Sequence, residues 1–167
     1  MRQAYFAGGC FWCITPSFTE LEGVSQVVSG YSGGDEADPT YEEVKGQRTH
    51  HRESIRIEYD ETLVSFETLL DIFLKNVDPF DGGGQFIDRG ASYTLAIYAQ
   101  NEAEHDAAQA AIARLEAEAG KPTAIALEPF KAFYDAEEYH QDYYLKNPEA
   151  FEKEMIESGR RKAEVSE

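Results

Sequence analysis

Basic residues are scarce in this sequence: 15 Lys and Arg stand against 32 Asp and Glu, a formal net charge of −17 over 167 residues. A phosphate-backbone partner needs clustered cations, so the balance speaks against nucleic acid and fits a solvated acidic surface. Long apolar runs are also missing. No stretch approaches the length of a membrane span, and the start "MRQAYFAGG" lacks the extended apolar core of a secretory signal, so a cytoplasmic protein that binds no membrane is expected. Repeats and low-complexity tracts are absent. Cysteine is scarcest of the reactive residues, with Cys10 and Cys13 alone. Two cysteines cannot build a disulfide framework, and in a reducing compartment a Cys-x-x-Cys points to catalysis or metal binding. The length suits one domain with a real core, expected over 1–167, its body at about 2–147 and a helix or tail at 148–167.

What is present alternates between two periods. "RQAYFAGG" is a short apolar run ending in glycines, which suits a buried strand stopping at a tight turn. Helical spacing follows from about the cysteines to "LEGV", and "VSQVVSGYSGG" reads as a strand. In "RESIRIEYD", Glu53, Ile55, Ile57 and Tyr59 share one parity, which predicts a half-buried strand. "SFETLLDIFLKNV" has helical spacing behind a capping Ser65, and "SYTLAIYAQ" is a further strand. "NEAEHDAAQAAIARLEAEAG" runs from Asn101 and Glu104 at capping-box spacing to Gly120, and a short strand is expected near "TAIALEP". The order β, α, β, β, α, β predicts an α+β class, specifically a ferredoxin-like two-layer α/β sandwich with a mixed sheet. Two long Gly-rich loops, "SGYSGGDEADPTYEEVKGQRTHH" and "PFDGGGQFIDRGA", separate the elements. Loops of that length in a compact domain are usually functional.

Cys10 falls where the first strand and its Gly-Gly turn meet a predicted helix N-terminus. Unpaired N–H groups there are expected to lower its thiol pKa and make it a nucleophile. Cys13 lies one turn later on the same face, or one of the two is a small buried hydrophobe. A zinc site would need His50, His51, His105 or His140 to complete the ligand set, and none stands at a familiar His spacing, so no metal is expected. The pair His50 and His51 reads as a polar loop end whose two side chains face opposite ways. Glu53 either points its carboxyl at the apolar side of its strand, where burial would raise its pKa and suit it to general-acid work, or faces water just before the strand. Tyr93 shares parity with Leu95 and Ile97 and is a core tyrosine or an oriented donor, and Tyr41 is equally open. Phe11 and Trp12 would shape an apolar pocket for a methyl or thioether group, or simply pack the core.

"GGCFWC", "SGYSGG", "PTYEEV", "THHRES", "GGQFIDRGASY" and "FYDAEEYHQDYY" resemble, in order from Tyr5 to about Tyr144, the motifs of the A-type peptide methionine sulfoxide reductases. The resemblance implies reduction of the S-epimer of methionine sulfoxide, free or in proteins, by a thiol mechanism without metal or flavin, on a ferredoxin-like α/β core. Position by position, it makes Cys10 the nucleophile and Glu53 the acid that protonates the sulfoxide oxygen. It assigns Phe11 and Trp12 to the substrate methyl group, Tyr41 and Tyr93 to hydrogen bonds with that oxygen, and Asp88 to a polar place beside them. Many family members recycle the oxidised cysteine with thiols near the C-terminus. This sequence has none there, which within the resemblance leaves Cys13 as the resolving thiol and thioredoxin or a similar dithiol as the external reductant of a monomeric enzyme. Thr15 stands where the family commonly has Glu, and His50 where Gly usually precedes the His. His140 and Tyr139 fit the family pattern without an assigned role.

Overall fold

A computed structural model describes residues 1–157 with the exception of Ile87. Strand β1 (Arg2–Gly8) alternates faces, so Ala4 and Phe6 enter the main core while Tyr5 and Ala7 enter a smaller cluster on the opposite side. Helices α1 (Phe11–Ile14) and α2 (Pro16–Thr19) follow, then β2 (Val24–Ser32), α3 (Tyr41–Lys45) and β3 (Arg52–Tyr59). Next come α4 (Phe66–Lys75), the two-residue strands β4 (Gly84–Gln85) and β5 (Asp88–Arg89), β6 (Leu95–Ala99) and α5 (Glu102–Ala119). The chain continues through β7 (Ala126–Pro129), β8 (Phe133–Asp135), α6 (Tyr143–Lys146) and α7 (Pro148–Glu157). The expected C-terminal extension is therefore helical as far as Glu157, and 158–167 lie outside the described residues.

The main sheet has six strands in the order β7-β6-β1-β3-β2-β8 and is mixed: β6 and β7 run parallel and the other neighbours antiparallel. Strands β7 and β8 occupy opposite edges, yet only Phe130, Lys131 and Ala132 lie between them. Four residue steps reach about 14 Å, whereas a flat six-stranded sheet is roughly 24 Å across. The sheet is therefore strongly curled. Phe130 and Phe133, on and beside that short link, cover one face by packing on the Tyr5 ring at 4.0 and 5.5 Å.

The helices cover the other face. In α4 the buried stripe Phe66, Leu69, Leu70 and Phe73 meets β1, with the Phe73 ring stacked 4.9 Å from Phe6. Burying each such side chain contributes about 1.5–3 kcal/mol. Ser65 caps this helix through Thr68 N–H as its sequence predicts. In α5, Asn101 accepts from Glu104 N–H, and Gly120 closes the helix at φ 70.

Three local expectations change. The helix expected from the cysteines to "LEGV" is two single turns, because Pro16 has no N–H to donate back to Trp12. The buried Thr15 between them donates its hydroxyl to Phe11 O at 2.7 Å, which gives this position a structural use. The first long loop contains α3, capped reciprocally by Thr40 and Glu43. Tyr93 belongs to a 3-10 turn, Ala91–Tyr93, and not to a strand.

Strand polarity now gathers one end of the sheet. Strands β1 and β2 finish there while β3 and β6 begin there, with Tyr31 opposite Glu53 and Gly8 opposite Leu95. Extending the Phe6–Ile55 register by two residues brings Gly8 opposite Glu53. The Gly-Gly turn, Glu53 and the Tyr93 turn thus meet without any long excursion of the chain.

Candidate active site

Gly9 holds φ 86, a left-handed conformation that a side chain disfavours, and a Cβ on Gly8 would lie 2.3 Å from Ile14 Cδ1. The turn lets Cys10 cap α1 with extended dihedrals, and Cys13 N–H donates to Cys10 O at 3.1 Å to close one helical turn. Both cysteines are reduced and only 4% and 3% exposed.

The Cys10 thiol is not depressed as its helix-cap position led us to expect. The adjacent Cys13 thiol, burial, and the negative charges of Glu53 and Asp88 all push it well above the usual cysteine range. Two features overrule the helix end. Helix α1 is one turn long, and Phe11 N–H, the donor a thiolate would use, donates instead to Glu53 Oε1 at 3.2 Å.

Glu53 is 1% exposed and does face the apolar side of β3. Burial is the largest influence on it and the charge of Asp88 adds to it. Phe11 N–H and the Tyr93 phenol oppose them, and the carboxyl is pushed up to about 8. At neutral pH it holds its proton, while Oε2 has no hydrogen-bond partner among the described residues. The Tyr93 phenol is itself pushed up, first by burial, then by the negative charges of Glu53, Tyr41, Cys10 and Asp88. The named groups therefore share one electrostatic neighbourhood.

Aromatic rings line one side of it. Phe11 lies 5.8 Å from Tyr31, 6.3 Å from Trp12 and 6.5 Å from Tyr41. Trp12 stacks on Tyr143 at 4.2 Å and 15°. His140 lies 5.3 Å from Trp12 and 4.3 Å from Tyr41, and its Nδ1 accepts the indole N–H of Trp12 at 3.0 Å. The proton of the neutral imidazole is then on Nε2. A reduced thiol, a protonated carboxyl, phenols and an aromatic wall make a cup suited to protonating a polar oxygen beside an apolar methyl group while a sulfur attacks.

The family model for peptide methionine sulfoxide reductases matches residues 2–167. The chain belongs to that family. It is 44% identical over 160 residues to the methionine sulfoxide reductase MsrA of Bacillus velezensis, covering 94% of this chain and 90% of that protein. It is 45% identical over 162 residues to MsrA 2 of Staphylococcus aureus, covering 96% and 92%. The solved structure of reduced Mxr1 from Saccharomyces cerevisiae superposes with a TM-score of 0.83 at 29% identity, covering 89% of this chain and 86% of that one. The activity is thiol-dependent reduction of methionine sulfoxide.

The reductase brings Cys10, Cys13, Phe11, Trp12, Tyr41, Glu53, Asp88 and Tyr93 together at one end of the sheet. His50 and His51 stay outside. His50 is exposed beside Glu36, while the buried His51 ring accepts Gly34 N–H at 3.2 Å and donates to Glu36 O at 2.7 Å. It staples a loop, and both rings approach Glu36, so the pair does not face opposite ways as expected. Among the described residues no group of three or more His, Cys, Asp or Glu could hold a metal ion.

Sequence reasoning left Tyr31, His140 and Tyr143 without roles. One signal was available, because the chain has a single tryptophan and a buried indole N–H seeks an acceptor. Burial holds His140 down to about 4. Protonation of Nδ1 would remove the acceptor, so Trp12 emission is expected to titrate with a midpoint near pH 4 while far-UV circular dichroism stays native. The same titration run on His140→Gln should be flat, and a persisting transition would assign it to another group.

Proposed function

We propose that Cys10 is the nucleophile, Glu53 the acid and Cys13 the resolving thiol in reduction of the S-epimer of methionine sulfoxide, free or within proteins. The observation that carries this reading is the single hydrogen bond from Phe11 N–H to Glu53 Oε1. It holds a buried, protonated carboxyl beside the residue next to Cys10.

The substrate methyl rests on Phe11 and Trp12. The sulfoxide oxygen takes hydrogen bonds from the Tyr41 and Tyr93 phenols, with Asp88 alongside. A sulfoxide is polarised with its sulfur positive, which brings positive charge up to Cys10. The thiolate therefore forms most readily in the complex. As Cys10 Sγ attacks the sulfoxide sulfur, Glu53 protonates the oxygen. The S–O bond and the Sγ–S bond formed in the attack then both break as the oxygen passes to Cys10 as a sulfenic acid, the proton given up by the Cys10 thiol goes to solvent, and methionine leaves reduced by two electrons. Glu53 recovers a proton from solvent. Cys13 then attacks Cys10, an S–S bond forms, the S–OH bond breaks and water departs.

No prosthetic group takes part, so the Cys10–Cys13 disulfide needs an external dithiol, read as thioredoxin. A solved structure of yeast Mxr1, 21% identical with a TM-score of 0.58, is of its complex with Trx2, which supports that choice. The reading includes one catalytic domain acting as a monomer in the cytoplasm. One chain lines the whole cup, and the thiol pair needs a reducing compartment. It also includes the ferredoxin-like core, supported by the central order β6-β1-β3-β2 with antiparallel neighbours throughout.

Incubation with dithiothreitol and each epimer should yield methionine from the S-sulfoxide and leave the R-sulfoxide intact. Reduction of insulin disulfides without sulfoxide reduction would instead mark a general dithiol oxidoreductase. For Cys13→Ser, single turnover should still release one methionine per enzyme, while thioredoxin-supported turnover falls by about tenfold or more. Wild-type turnover with thioredoxin would remove Cys13 as the resolver.

A further inference from the structure

The segment "AEEYHQ" is a strap that grips the aromatic cup at three points. Glu137 accepts from the buried Tyr31 hydroxyl through Oε1 at 2.9 Å and from Tyr41 backbone N–H through Oε2 at 3.0 Å. His140 accepts from Trp12. Gln141 exchanges bonds with the Ser29 backbone in β2, accepting its N–H at 2.9 Å and donating to its oxygen at 2.9 Å. Of the three, Glu137 is the one that hydrogen-bonds to both Tyr31 and Tyr41. Tyr31 packs beneath Phe11, and Tyr41 stands over Trp12 and His140.

Helix α3, which carries Tyr41, is held at its far end as well. Just past it, Gln47 accepts Ser92 N–H at 2.9 Å and donates to Ser92 Oγ at 2.8 Å, joining α3 to the turn that carries Tyr93. A five-residue helix has little stability of its own, so its direction depends on tertiary contacts, among them these two ties and Val44 in the main core. The Glu137 carboxyl is held below the usual carboxylate range by Tyr41 N–H and the Tyr31 hydroxyl against the cost of burial, and it accepts from both donors as an anion.

We propose that Glu137 is a positioning residue that sets the Tyr41 phenol over the sulfoxide oxygen, an inference that rests on the role given to Tyr41 under "Proposed function". A carboxylate can accept twice. Glutamine can keep Tyr41 N–H on its amide oxygen only as an uncharged acceptor, with the Tyr31 hydroxyl turned round to accept its NH2, so the tie to Tyr41 loses its charge-assisted strength.

The test is a double-mutant cycle with dithiothreitol as reductant. Glu137→Gln should lower kcat/KM for methionine S-sulfoxide about tenfold, chiefly in kcat, because misplacing a group that acts in the transition state costs rate more than affinity. In a Tyr41→Phe background the same substitution should cost less than about twofold, since the group it positions is already gone. A change within twofold in the wild-type background, or an equal tenfold loss in the Tyr41→Phe background, would overturn the proposal.

A second readout needs no turnover. Trp12 is the sole tryptophan and lies 6.2 Å from the Tyr41 ring, so Glu137→Gln should shift its emission without substrate. An unchanged spectrum refutes the proposal. Should the wild type reduce no sulfoxide, the functional reading falls and the spectrum alone decides the placement of Tyr41. If Glu137→Gln does not fold, Glu137→Asp, whose shorter carboxylate reaches one donor at a time, carries the same comparisons.

Discussion

Glu53→Gln should slow methionine sulfoxide reduction by roughly two to four orders of magnitude, the usual worth of a positioned general acid. Glutamine keeps the shape and can still accept Phe11 N–H through its amide oxygen, so what it removes is the proton. On the proposed roles the sulfoxide oxygen then has only the phenols, of which Tyr93 is pushed up by burial into a donor of hydrogen bonds and a poor donor of protons. Alkylation of Cys10 should change little, because the thiol is pushed up first by Cys13 and by burial. The same variant has a stability signature. Between the ordinary carboxyl value of 4.5 and the folded value of about 8, native Glu53 is protonated and the unfolded residue is not, so wild-type stability falls as pH rises across that window. At pH 7 the penalty is on the order of 3 kcal/mol, and glutamine is free of it. The melting temperature of Glu53→Gln relative to wild type should therefore climb from pH 5 to pH 8. A flat difference would show that Glu53 is not a buried acid, and a rate within about tenfold of wild type would remove it from proton donation.

Glu53 was half legible: parity with Ile55, Ile57 and Tyr59 is a local rule that offers it the apolar face, but it left a water-facing place just before the strand equally open, and the strand's start at Arg52 decides for the first. The caps at Ser65, Asn101 and Gly120 were legible from local rules as well. The Cys10 thiol was not. Its position at a helix cap is local and suggests a depressed thiol, but the Cys13 thiol and burial push it up, with smaller contributions from Glu53 and Asp88 far along the sequence, and the Phe11 N–H is committed to Glu53. The strap is harder still. The Trp12–His140 bond joins residues 128 apart, and those of Glu137 span 106 and 96. These contacts depend on the curled sheet bringing the two ends of the chain to one place, which a three-residue strand such as β8 does not announce. The first loop was a different kind of miss, since Thr40 and Glu43 stand at capping-box spacing and α3 was readable from them.

Cys10→Ser should abolish turnover, a loss greater than about four orders of magnitude. The reason is redox as well as nucleophilic. The sulfoxide oxygen must pass to an atom that can give up two electrons, and a serine hydroxyl oxygen has no counterpart of the sulfenic acid, so even slow attack would lead nowhere. Cys13 offers no detour. It is placed one helical turn on to meet Cys10, and the Glu53-bound Phe11 N–H adjoins Cys10. The variant should nonetheless bind. On the roles proposed for them, Phe11, Trp12, the phenols and the protonated Glu53 do not depend on the sulfur, so methionine S-sulfoxide should still perturb Trp12 emission saturably, with no methionine released under dithiothreitol. Release above about one part in a hundred of the wild-type rate would mean that another thiol carries the oxygen. Loss of the Trp12 response with the fold intact would mean that the sulfur, and not the aromatic wall, holds the substrate.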